Sequence, residues 1–175
     1  DEYVGLGEGD AESFRSYMTR HLGDPLHLSP LQLRIPDGRA NDLCGEASSY
    51  SKELERLGGI GLQLLGLGNN GHIGFNEPPC GPDSTCRVVT LSDLTRKQNS
   101  FAFGSHKYQV PCQAITLGLS EILKAEEIHL VVTGSEKADI LHELFRKPAS
   151  EELPASWLRK HKNLFLWADN SALSK

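Results

Sequence analysis

An α/β fold built on a mostly parallel sheet is what the sequence predicts, and three observations carry that expectation. Residues 60–67 and 128–132 are almost wholly apolar, as strands are when helices cover both faces of a parallel sheet. A helical stripe of Leu43, Ala47, Tyr50, Leu54 and Leu57 leads into the first run, and Gly134 with Ser135 opens a helix after the second. Strand and helix signals alternate along the whole chain.

Taken in order, Asp10 stands where a cap would begin a helix over 10–22. Its Phe14, Met18 and Leu22 share a face, and Gly23, Asp24 and Pro25 stop it. The alternation of Leu31, Leu33 and Ile35 suggests a strand closed by Pro36, Asp37 and Gly38. The stripe from Asn41 to Leu57 is the clearest helix, with Gly58 and Gly59 as its C-terminal stop. After the apolar run at 60–67 come a strand over 87–91 and a helix that Ser92 caps, reaching 100. Ser120 is placed to cap a short helix ahead of the run at 128–132. A helix over 134–145 and a strand over 164–168 complete the series. The expected architecture is a three-layer, Rossmann-like sheet with helices on both faces, and residues 1–175 form one domain, since no linker or repeat divides them.

At 175 residues the chain has room for one sizeable core, burying roughly 70% of its unfolded surface. Hydrophobic residues make up 38%, charged residues 23%, and the net charge is -5. This balance argues against disorder and against nucleic acid as a partner. With no apolar run approaching a bilayer span and no signal-peptide pattern, the chain reads as cytoplasmic. Cys44, Cys80, Cys86 and Cys112 have no zinc-like spacing and read as reduced thiols. His21 and His27 are isolated, so neither metal nor cofactor is expected.

Ligands of open α/β sheets sit beyond the C-terminal ends of the strands, which directs attention to residues 68–78. There Gly68 and Gly71 permit close backbone approach, His72 can move protons near neutral pH, and Glu77 can share a proton with it. The same residues would also suit a plain glycine turn with a hydrogen-bonded histidine.

The full string, LGLGNNGHIGFNEP over 65–78, resembles the signature of the glucosamine-6-phosphate deaminase/isomerase family. The likeness extends to DEYVGL at the start, TRKQNS at 95–100, AITLGLSEILKAEEIHLVVTGSEKA at 114–138 and LPASWLRKH at 153–161. The resemblance implies deamination and isomerisation of a hexosamine 6-phosphate with release of ammonia, and no cofactor. It implies that Asp1 removes the proton from C2, that His72 assists ring opening with Glu77 as its partner, and that Asn70 belongs to the same catalytic set. Lys137 matches the lysine that binds substrate phosphate. A cation in a first helical turn is itself unfavourable unless an anion sits there. Homo-oligomerisation is left open.

Departures from the family pattern sharpen the expectation. Asn70 replaces the usual aspartate and, with the NGH string, resembles the galactosamine-6-phosphate type, which favours that substrate over glucosamine 6-phosphate. Phe101 stands where an arginine contacts phosphate, leaving Arg96 as a candidate substitute. Family members also carry a strand and a phosphate loop before the position of Asp1, and these are expected to be missing from residues 1–175. Two rival readings are a 6-phosphogluconolactonase-like hydrolase, which continues differently after the histidine, and a non-catalytic sugar-phosphate sensor.

Overall fold

The computed structural model describes residues 1–104 and 109–175. They group into two units, one of residues 1–50 with 87–116 and one of residues 51–86 with 117–175.

The first unit is organised by a short antiparallel sheet. Strand β1 (Glu2–Tyr3) pairs with β4 (Gln113–Thr116), which pairs in turn with β3 (Arg87–Thr90). Neither β1 nor β4 was foreseen, since a two-residue strand has no periodicity and β4 offers only Ala114 and Ile115 as buried apolar residues. Helix α1 (Phe14–Met18) continues into a wider turn, Thr19–Gly23. Its cap is Ser13, whose Oγ accepts the Ser16 N–H at 3.0 Å, assisted by the buried Glu2 carboxylate on the N–H groups of Phe14 and Arg15. Asp10 instead accepts from the Gly7 N–H at 2.8 Å and from Arg39 at 2.6 Å. The strand expected at 31–35 is a turn and irregular chain. Its Leu33 N–H goes back to the Ser29 carbonyl, and the Ile35 carbonyl is taken by Arg15, so no ladder forms. Helix α3 (Asp93–Asn99) follows expectation, with Ser92 Oγ accepting the Thr95 N–H.

Helix α2 (Leu43–Arg56) ends as its glycines require. Gly58 and Gly59 have φ of 97° and 87°, and their N–H groups return to the carbonyls of Glu55 and Leu54.

In the second unit, β2 (Leu62–Gly66), β5 (Glu127–Val132) and β6 (Leu164–Ala168) form a parallel sheet in the order β2-β5-β6. The register sets Leu65, Leu130 and Leu166 side by side and Leu64, His129 and Phe165 side by side. Because successive side chains alternate between faces, the first row faces the core with Ile128 and Val132. There it meets α4 (Leu119–Ile122), α5 (Ala138–Arg146) and the 3-10 turn Pro154–Lys160. The opposite face differs from the expected coverage on both sides: Leu62, Leu64, Val131, Phe165 and Trp167 are exposed among the described residues. Helix α4 is capped from a distance as well. Its first N–H is accepted by Ser84 Oγ at 3.1 Å, and Ser120 is its second residue, not its cap.

No helix among the described residues is long and apolar enough to cross a membrane. All four cysteines are free thiols, with Cys80 and Cys86 buried.

Candidate active site

The parallel sheet aligns three C-terminal strand ends, and the loops that leave them carry the polar groups of the second unit. The loop after β2 turns at once: the Gly71 N–H reaches the Gly68 carbonyl and the Gly68 N–H the His72 carbonyl, both at 2.9 Å. Two glycines are required here for different reasons. Gly71 has φ of 79° and a Cβ there would lie 2.2 Å from Leu153, whereas a Cβ on Gly68 would enter the His72 ring. Ile73, Phe75 and Asn76 are buried and anchor the rest of the loop.

Asn70 fixes the histidine. Its side-chain oxygen lies 3.3 Å from the His72 backbone N–H, which can only donate, so the same oxygen, 2.6 Å from Nδ1, must accept there too. The ring proton is thereby placed on Nδ1, and Nε2 is left as the basic nitrogen. Asparagine supplies this orientation without a negative charge. His72 is buried, and burial pushes its pKa below the ordinary 6.5; the nearby Glu77 carboxylate opposes that shift and the Lys137 ammonium adds to it.

The loop after β5 brings in the cation. A 3-10 turn, Ser135–Lys137, leads into α5, and Lys137 Nζ donates to Asn69 Oδ1. Burial also lowers the Lys137 pKa, with Glu136 acting in the opposite sense. The turn is held from the end of β6, where Asp169 accepts the Gly134 N–H at 3.1 Å and the Ala172 N–H at 2.7 Å. Asn69 and Asp169 were not singled out from the sequence. Asn69 could have been, as a second polar side chain between two glycines, but Asp169 gave no signal before the strand ends were aligned.

Of the residues the sequence selected, Asn70, His72, Glu77 and Lys137 therefore share the second unit and act on one another by contact or charge. Asp1 lies in the first unit, directly ahead of β1. Arg96, the candidate phosphate ligand, is committed elsewhere: its Nε and Nη2 both donate to the Val110 carbonyl, at 3.1 and 2.8 Å. Among the described residues, no three His, Cys, Asp or Glu side chains gather as a metal site would require.

A parallel α/β sheet that carries a buried, oriented histidine and a half-buried lysine on the loops beyond its strand ends has the groups that acid–base chemistry on an anion would need. Residues 6–167 match the family described as glucosamine-6-phosphate isomerases/6-phosphogluconolactonase. A glucosamine-6-phosphate deaminase of Oceanobacillus iheyensis is 44% identical over 173 residues, covering 99% of this chain and 69% of that protein. One from a Geobacillus species is 42% identical over 174 residues, with 99% and 69% covered. The solved structure of a monomeric glucosamine-6-phosphate deaminase superposes with a TM-score of 0.96 at 38% identity, over 99% of this chain and 71% of that one. A 6-phosphogluconolactonase from Trypanosoma brucei, 20% identical with a TM-score of 0.73 over 99% of this chain and 71% of that one, is alike in fold alone. The chain belongs to the glucosamine-6-phosphate isomerase/6-phosphogluconolactonase family.

Proposed function

We propose that the chain converts glucosamine 6-phosphate and water to fructose 6-phosphate and ammonia. The observation that supports this most is the His72 ring, oriented by Asn70 so that Nε2 is basic, in the field of Glu77 and Lys137. In this reading His72, with Glu77, moves the proton from the anomeric hydroxyl to the ring oxygen and so opens the pyranose. Asp1 takes the proton from C2 and a proton is returned to C1, which turns the amino aldose into a ketose imine. Water adds to C2 and ammonia leaves. Each proton transfer is worth roughly 10²- to 10⁴-fold. The Lys137 ammonium receives the phosphate in exchange for its contact with Asn69.

Glucosamine 6-phosphate is preferred over the galacto sugar that Asn70 pointed to, because the relatives described above carry the glucosamine name. The test supplies glucosamine 6-phosphate, galactosamine 6-phosphate and 6-phosphogluconolactone separately and measures ammonia from the first two and acid from the third. Ammonia from the glucosamine substrate at the higher kcat/KM is expected. Faster release from the galacto sugar would reverse the substrate assignment, and lactone hydrolysis without ammonia would overturn the function.

Lys137 carries a second prediction. A charge-assisted bond to phosphate is worth about 1.5–3 kcal/mol, so Lys137→Met raises KM for the sugar phosphate roughly 10- to 100-fold. Because burial opposes the charge on this lysine, the variant melts no lower than the parent. Steady-state kinetics and a thermal melt check both halves, and an unchanged KM would remove Lys137 from the phosphate site.

A further inference from the structure

Asn76 has no accessible surface, and it closes the turn that begins at Ile73, directly after His72. Its backbone N–H returns to the Ile73 carbonyl at 3.0 Å, and Glu77 follows directly. The side chain reaches further. Nδ2 donates to the Ile73 carbonyl at 3.1 Å and to the Leu117 carbonyl at 2.8 Å, so one amide ties the turn to the segment that enters α4. Its Oδ1 lies 3.7 Å from the thiol of the buried Cys80. That sulfur in turn lies 3.2 Å from Ser84 Oγ, which accepts the Leu119 N–H.

The far anchor is itself rigid. A Cβ on Gly118 would lie 2.0 Å from the Ser84 carbonyl oxygen, and the Ser120 N–H donates to that same oxygen at 2.9 Å. A carboxamide does not titrate and this one is enclosed, so proton transfer is not its task. Its donors are spent on two backbone carbonyls, that of Ile73 within its own turn and that of Leu117 in a segment distant in sequence, which is the arrangement expected of a brace.

We infer that Asn76 is a positioning residue for the reaction proposed above: by bracing the turn from Ile73 to Asn76 against Leu117, it fixes His72 and Glu77 relative to one another. The inference rests on that functional reading for its kinetic consequence but not for its structural one.

Asn76→Leu keeps the branching of the side chain and removes both donors. In the full chain the variant is compared with the parent by NMR titration of the His72 ring, by kcat and KM, and by melting temperature. With the turn released, His72 loses part of its burial and its titration midpoint moves up toward 6.5. A misplacement of about 1 Å at a catalytic group costs on the order of 100-fold, so kcat falls roughly 10- to 100-fold. KM changes little, because phosphate binding is assigned to Lys137, on the turn after β5. A lowered melting temperature with the His72 titration and kcat unmoved would leave Asn76 a purely structural residue and overturn the inference. If the parent releases no ammonia, the functional reading fails, while the His72 titration still decides the bracing role. Should the leucine variant not fold, Asn76→Ser, which retains one hydroxyl donor, is read by the same titration and shifts it in the same direction by less.

Discussion

A His72→Gln variant is expected to fold as the parent does and to turn over the hexosamine 6-phosphate about 10²- to 10⁴-fold more slowly. Glutamine can still hydrogen-bond within the loop but cannot take up and release a proton near neutral pH. The effect is largest where the parent uses the neutral imidazole. Burial holds the His72 pKa below 6.5, so the acid limb of the parent's kcat/KM profile lies below that value, and it disappears in the variant. The same shift appears in stability. Between the folded-state pKa and 6.5 the unfolded chain binds more protons than the folded one, so this group's contribution to stability is present above 6.5 and is lost as pH falls. Denaturant melts at pH 7 and pH 5 should show a smaller loss for His72→Gln than for the parent. Turnover within a few-fold of the parent would refute the role given to His72.

Gly68→Ala is expected to lower kcat almost as far, though alanine carries no chemistry. An added Cβ would stand 2.2 to 2.4 Å from the Cε1, Nδ1 and Nε2 atoms of the His72 ring. The ring cannot simply retreat, because Asn70 holds Nδ1 and the Gly68 N–H holds the His72 carbonyl. One of those bonds must break, so the ring leaves the position from which Nε2 acts. Gly68 is not in the left-handed region, so the cost is steric, of the order of 1–3 kcal/mol for overpacking. The fold should survive, with KM little changed. Rates of ammonia release and the His72 NMR signals would check this, and a variant with parental kcat would show that ring placement does not limit the reaction.

Most of the candidate site was legible because its polar residues stand in one short string. Asn70, His72 and Glu77 are neighbours in sequence, and Lys137 follows a strand that was recognisable from its apolar run. What the string did not reveal was how the parts meet. That the Asn70 oxygen sets the histidine tautomer is a matter of side-chain geometry within the loop, and that Asn69 holds Lys137 and Asp169 the turn before it are contacts across loops. Arg96 shows the reverse: a basic residue that looked available donates to the Val110 carbonyl.

By itself the sequence determined β2, β5 and β6 as strands, α2, α3 and α5 as helices, and the loop that bears the histidine. Each of these rests on periodicity, caps and glycines that act within one or two turns of chain. Only the tertiary structure decided that Ser13 and Glu2, and not Asp10, cap α1, that Ser84 serves α4, and that residues 31–35 form no strand. It alone paired β1, β4 and β3 antiparallel and left Leu64 and Trp167 exposed on one face of the parallel sheet. The physical reason is common to all of them: a cap, a ladder or a covered face is completed by groups far away in the chain, and no local pattern records which distant group arrives.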